Sequence, residues 1–184
     1  MRLNKTTIYY ELLAVRCQRR DRQAFEELVR CFERRLLYYI RRLVDHEPDA
    51  LNILQETWLS VFESIDSLRQ PRLLPVWLYG IARRCVMDYH RGQYADRLSF
   101  GDEASLAEMP DDRLPIDCDD VQRLHQALRQ LSPAHREVLT LFFLEDIPLE
   151  AIAVIVNASV GTVKSRLFYA KQNLKILMEK GDAT

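Results

Sequence analysis

From Phe25 to Leu43 apolar residues return every three or four positions: Phe25, Leu28, Val29, Phe32, Leu36, Ile40 and Leu43. That is the period of an α-helix with one buried face. The same spacing recurs almost throughout the chain, and alternating apolar and polar runs are hard to find, so the expected fold class is all-α with little or no sheet. Asp21 is placed to cap the helix that follows. A short amphipathic helix is expected before it, from about Ile8 to Cys17. After a break near His46, Glu47 and Pro48, the residues Leu51, Leu54, Trp58, Phe62 and Ile65 are read as one helix face. A polar loop holding Pro71 and Pro75 follows. A fourth helix is expected from about Val76 to His90, with Leu78, Ile81, Cys85 and Tyr89 on one side.

The periodicity then stops. From about Gln93 to Asp119 the chain contains Gly101, Pro110, Pro115 and a cluster of acidic residues, too little apolar surface to offset the cost of ordering. The chain's 184 residues suffice for two small domains, and the boundary is placed here: a helical domain over 1–94, an acidic linker over 95–119 and a second helical domain over 120–184. Charge follows the same division. Residues 1–96 hold 16 basic and 13 acidic side chains, a net +3; residues 97–120 hold 2 and 8, a net −6; residues 121–184 hold 8 and 6, a net +2. With −1 overall, the chain does not carry the charge of a protein that lives on DNA electrostatics alone.

The second block is read as helices over about Asp120–Gln130, Pro133–Leu144, Pro148–Val156 and Val160–Lys180. Ser132, followed by Pro133 at the first helical position, and Ser159 are both suited to cap the helices they precede. Within Pro148–Leu167 lies a more specific pattern. Two helices that cross closely need a small residue at the crossing, and Ala153 supplies it. The turn needs a residue that tolerates positive φ, and Asn157, four positions on, is the best choice after glycine. Val163, ten positions after Ala153, anchors the second helix, with Ile152, Ile155, Val160 and Leu167 filling the space between. This is the spacing of a helix-turn-helix. Thr162, Lys164, Ser165, Arg166, Phe168, Tyr169 and Lys171 then stand as candidate DNA contacts: Lys164 for a guanine edge or a phosphate, Thr162 and Ser165 for phosphate or base, Phe168 for a thymine methyl, Arg166 and Lys171 for the backbone. On geometry alone, a packing unit with a solvated charged face is the other reading.

The string Leu131-Ser-Pro-Ala-His-Arg-Glu-Val-Leu139, then Ile147-Pro-Leu-Glu-Ala-Ile-Ala153, then Val160-Gly-Thr-Val-Lys-Ser-Arg-Leu167 closely resembles region four of extracytoplasmic-function sigma factors, of the sigma-70 superfamily. Asp21-Arg-Gln-Ala-Phe-Glu-Glu-Leu28, Leu54-Gln-Glu-Thr-Trp58 and Trp77-Leu-Tyr-Gly-Ile-Ala-Arg83 resemble region two of the same family. The resemblance covers roughly residues 12–92 and 120–178. It implies a chain that binds core RNA polymerase, at the clamp of the β′ subunit and the flap of the β subunit, and directs promoter recognition, melting and initiation. It also implies an anti-sigma factor that holds the chain when idle, while the unpaired cysteines are read as reduced thiols of a cytoplasmic protein. Residue by residue, it implies polymerase contacts at Asp49, Asn52, Gln55, Glu56 and Leu59. For the minus-ten element it implies Arg72, Trp77, Arg83, Arg84, Asp88 and Arg91, with Trp77 read either there or as core. The minus-thirty-five element falls to the seven residues of the second helix named above. The acidic linker matches the segment that family members thread into the polymerase, a plain tether being the alternative. Three positions depart from the usual pattern: Asn52 stands where Asp is usual, Arg84 where Asn is common, and Tyr169 where Arg is common.

No enzyme is expected. The chain shows no nucleophile–base pair or Gly-rich phosphate loop, His46, His90, His125 and His135 are scattered, and Cys17, Cys31, Cys85 and Cys118 lack metal-ligand spacing, so neither cofactor nor metal is foreseen. No run approaches the ~20 apolar residues of a membrane span, and Met1 to Val15 lacks the pattern of a signal peptide. The rival reading is a helix-turn-helix repressor or activator that works without replacing a sigma factor.

Overall fold

The computed structural model describes residues 5–100 and 119–181, with the side chains of 94–100, 119–122 and 180–181 left aside. Every regular element among the described residues is helical. The chain divides into two compact units, Met1–Ile40 with Pro48–Leu106, and Arg41–Glu47 with Ala107–Thr184. The segment between the second and third helices is thereby counted with the second unit.

The first unit contains α1 (Lys5–Gln18), α2 (Arg22–Arg41), α3 (Glu47–Ser64) and α4 (Leu74–Phe100), with two single 3₁₀ turns at Ile65–Ser67 and Pro71–Leu73 between α3 and α4. Asp21 starts α2 as the sequence suggests: its Oδ1 accepts the amides of Gln23 at 2.9 Å and Ala24 at 3.2 Å. Its other oxygen takes the Arg16 guanidinium at 2.9 Å, and this holds the carboxyl below the usual aspartate range. The core is built from Leu13, Ala14 and Cys17 of α1, Leu28, Phe32, Leu36 and Tyr39 of α2, and Leu78, Tyr79, Ala82 and Val86 of α4. Tyr39 and Tyr79 meet edge to face, 5.3 Å apart, a favoured arrangement for buried rings. Gln18 ties the turn after α3 down by donating to the carbonyls of Ile65 and Leu68.

Two expectations for this unit are corrected. In α3 the buried face is Ala50, Ile53, Leu54, Thr57 and Val61, whereas Leu51 and Phe62 are 42% and 54% exposed. Small residues let the helix sit close, and Thr57 satisfies its hydroxyl on the Ile53 carbonyl at 2.7 Å, so the largest side chains are not the innermost. Phe62 instead packs on Phe25 at 5.1 Å, with the Arg20 guanidinium over its ring. The fourth helix also extends beyond His90, to Phe100, while the expected acidic linker falls largely in 101–118, outside the described residues.

The second unit contains α5 (Asp119–Gln130), α6 (Pro133–Leu139), α7 (Leu149–Ile155) and α8 (Val160–Gly181). Ser132 caps α6 by accepting the His135 amide. The Arg136 guanidinium closes the end of α5 by donating to the carbonyls of Arg129 and Leu131, where a helix C-terminus favours a cation. The expected single helix over Pro133–Leu144 is corrected: regular α structure stops at Leu139, and Thr140–Leu144 form one wider turn of π type. The Glu145 amide reaches back five residues to the Thr140 carbonyl, and Asp146 takes a φ of 52°, a conformation that Asp tolerates better than most. The wider turn leaves Phe143 and Leu144 facing solvent.

Candidate nucleic-acid and polymerase interfaces

In the second unit α7 and α8 meet at 103°, within the range of helix-turn-helix pairs. Each part of the expected spacing is in place. Ala153 is buried at the crossing and Val163 is fully buried opposite it. Asn157 has a φ of 50°, and the Ala158 amide closes the turn on the Ala153 carbonyl at 3.0 Å. Ser159 then caps α8, its Oγ accepting the Thr162 amide at 3.0 Å. With Val163, Leu167 and Ala170 buried, α8 turns Thr162, Lys164, Ser165, Phe168, Tyr169 and Lys171 to solvent and leaves Arg166 half-buried. All seven candidate contacts therefore lie on one short stretch of a helix whose first turns are uncovered. Phe168 and Tyr169 are 53% and 56% exposed and stack edge on, 5.4 Å apart.

In the first unit α3 presents Asn52, Gln55, Glu56 and Leu59 on one exposed face, at the i, i+3, i+4, i+7 spacing that aligns side chains along a helix. Leu59 is 63% exposed at the C-terminal end of that face. Asp49 is half-buried beside it and accepts a 2.5 Å hydrogen bond from the Tyr89 hydroxyl of α4, which itself accepts one from Gln93. The structure brings Asp49, Asn52, Ile53 and Glu56 together with Asp88 and Tyr89 around a cleft of about 360 Å³. Asp88, expected among the minus-ten contacts, thus shares a cleft with three of the expected polymerase contacts, and it also pairs with Arg91. Arg84 and Arg91 are exposed on α4, while Trp77 and Arg83 are half-buried. Arg72 lies on the turn before α4, donating to Gln70 at 3.1 Å.

The sequence reading missed Tyr89 as part of this cleft by assigning it to the apolar side of α4. A tyrosine at the end of an apolar stripe carries a hydroxyl that needs a partner, and the acidic residues one helix away were the available signal. Among the described residues no group of His, Cys, Asp and Glu has a metal-binding arrangement, and no single helix is long and apolar enough to cross a membrane.

Comparison with known proteins covers both units. Residues 28–95 match the family model of Sigma-70 region 2, and residues 121–174 match that of Sigma-70, region 4. The chain is 31% identical to the RNA polymerase sigma factor SigV of Bacillus subtilis over 139 residues, 76% of this chain and 81% of that protein. It is 28% identical to the RNA polymerase sigma-H factor of Pseudomonas aeruginosa over 171 residues, 87% and 89% of the two chains. The ECF RNA polymerase sigma factor SigW of Bacillus subtilis is 25% identical over 84% of this chain and 89% of its own. Among the solved structures that share the fold are two at 22% identity each. One is the sigma factor RpoE in complex with the anti-sigma factor NepR from Bartonella quintana, with a TM-score of 0.76 over 84% of this chain and 96% of that one. The other is CnrH in complex with the cytosolic domain of CnrY, with a TM-score of 0.68 over 93% and 97%.

Proposed function

Because this chain belongs to the extracytoplasmic-function group of sigma-70 RNA polymerase sigma factors, we propose a division of labour between its two units: the first docks core polymerase and handles the minus-ten element, and the second reads the minus-thirty-five element. A sigma factor binds core RNA polymerase and directs promoter recognition, melting and initiation. The observation that carries the division is the pair of uncovered helix faces, α8 in one unit and α3 beside α4 in the other.

For the second unit, the first turns of α8 enter the major groove, as a recognition helix does. Lys164, Thr162 and Ser165 contact base edges or phosphates, Arg166 and Lys171 hold the backbone, and Phe168 and Tyr169 lie between them. For the first unit, Asn52, Gln55, Glu56 and Leu59, with Asp49 at the margin, form the surface offered to the β′ clamp. The carboxylates around the cleft repel phosphate, so DNA approaches α4 along Arg72, Trp77, Arg83, Arg84 and Arg91, and Asp88 faces the boundary between the two surfaces. The β flap is the second polymerase contact, and the acidic stretch between α4 and α5 joins the two units along the chain.

Energy argues that such a chain works only inside the polymerase. Opening a bubble costs about 1.4 kcal/mol per base-pair step, so on the order of 17 kcal/mol for a dozen steps. Stacking one flipped base on an aromatic ring returns only ~1–3 kcal/mol. The modest basic charge likewise leaves most of the phosphate grip to the polymerase. Two small readers joined by a connecting segment gain through effective concentration once both dock on one enzyme. The place of work is then the cytoplasm, and the RpoE–NepR likeness favours an anti-sigma factor as the partner that holds this chain idle.

The test is run-off transcription of genomic fragments by purified core polymerase with and without the chain. Discrete transcripts that require both components, and that weaken with Lys164→Ala at matched promoters, are expected. Binding to palindromic DNA without polymerase, and no new transcripts, would favour the repressor reading, which leaves the region-two match without a role.

A further inference from the structure

The buried stripe of α8 runs through Val163, Leu167 and Ala170. At about 100° per residue, the opposite pole of the helix carries Gly161, Ser165, Phe168, Tyr169 and Gln172. All five are exposed and none is charged. The cations stand on the flanks, Lys164 and Lys171 on one side and Arg166 on the other. Such a helix has two rails that suit the phosphate rows bordering a groove, and an uncharged ridge between them that faces the groove floor. Along the ridge the two small residues come first, and one turn later two rings protrude side by side.

We propose that Phe168 and Tyr169 act as one apolar reader of thymine methyl groups, so that the upstream promoter element of this protein is recognised chiefly through methyls at the positions under the rings. The proposal rests on the assignment of α8 to the minus-thirty-five element. Guanine is read best by the forked donors of Arg or by Lys, whereas the 5-methyl of thymine is the one apolar feature on the major-groove edge. Phe168 has no polar atom to offer, and Tyr169 has a single hydroxyl. The two rings lie 5.4 Å apart and nearly perpendicular, so each limits the other's rotation. Two exposed rings on a helix that already has a complete buried stripe add nothing to the core; their surface is available to a ligand. The flanking cations favour DNA over a protein as that ligand.

The experiment uses the full chain with core polymerase on a promoter mapped by its own run-off start site. Synthetic templates carry deoxyuridine in place of thymine in the upstream element, which removes only the 5-methyl and keeps pairing. The expected result is a loss of initiation of roughly three- to five-fold for each contacted methyl, the scale of one buried methyl group. The double variant Phe168→Ala/Tyr169→Ala is expected to be weaker on the thymine template and indifferent to deoxyuridine. Equal initiation by the unaltered chain from both templates overturns the proposal, as does an upstream element without thymine. If the double variant loses affinity for core polymerase and the deoxyuridine template is used normally, the rings are a protein-docking feature instead. Absence of any transcript with core polymerase removes the reading beneath the proposal as well, and so is distinguishable from its own failure.

Discussion

Ser159 and Thr162 lock the first turn of α8 together: the Ser159 Oγ accepts the Thr162 amide at 3.0 Å and lies 2.8 Å from the Thr162 hydroxyl. An N-cap of this kind contributes about 1 kcal/mol. Ser159→Ala is therefore expected to destabilise the second unit by about that amount. Both tryptophans, Trp58 and Trp77, lie in α3 and α4 of the first unit. The denaturation midpoint by helical circular dichroism should drop while the midpoint by tryptophan fluorescence stays put. Equal shifts by both probes would mean that the two units unfold as one.

Asn157 holds its place through a φ of 50°. Glycine adopts that conformation freely, and a β-branched residue does not, at a cost of about 1–2 kcal/mol. Asn157→Gly should leave thermal stability nearly unchanged, whereas Asn157→Val should lower it and reduce transcription with it. A Val variant as stable as the parent would show that the turn can be made another way.

The helix-turn-helix was legible because its geometry forces particular residue types at fixed distances, and Ala153, Asn157 and Val163 meet each demand. The inner face of α3 was less legible. Periodicity locates a stripe, but weighting it by side-chain size favoured Leu51 and Phe62 over Ala50 and Thr57. Close helix packing selects small residues, which carry little hydrophobic signal. The wide turn at Thr140–Leu144 left no mark, since Leu141, Phe142, Phe143 and Leu144 suit an α-helix as well. The faces of α3 and α8 could be named as candidates, but the meeting of Asp88 with Asp49 and Glu56, 39 and 32 positions away in the chain, depends on how α3 and α4 pack, which no local pattern encodes.

Gly161 separates stability from function. A Cβ placed there would meet only the Ser159 Oγ, at 3.7 Å, so the fold does not require glycine. Glycine inside a helix costs up to ~1 kcal/mol relative to alanine. Gly161→Ala should therefore raise the melting temperature of the second unit. It should also weaken use of the upstream element, because the added methyl stands where the helix approaches DNA. A variant both more stable and fully active would show that DNA does not come close at this position.

Cys17 is fully buried in the first unit, and burial pushes its thiol up to about 11. The thiolate is the reactive form, so folding suppresses both access and ionisation. Brief maleimide labelling near pH 8, read by peptide mass spectrometry, should modify half-buried Cys31 well before Cys17, with the order abolished in denaturant. Labelling of Cys17 as fast as Cys31 in the native protein would contradict the packing of α1.

Leu59 is the strongest single test of the docking surface. It is 63% exposed and extends the exposed face of α3 that carries Asn52, Gln55 and Glu56. A leucine buried against a partner contributes roughly 1.5–3 kcal/mol, about ten- to hundred-fold in affinity. Leu59→Ala should weaken binding to core polymerase on that scale and leave the tryptophan-fluorescence midpoint unchanged, since alanine suits an exposed helix position. Changing Gln55 and Glu56 together to Ala should also weaken binding, but less steeply and in a way that salt attenuates for the Glu56 part. Competition for core polymerase with a fluorescently labelled parent chain measures both. Unchanged affinity in both variants, with the fold intact, would move the polymerase contact off this face of α3.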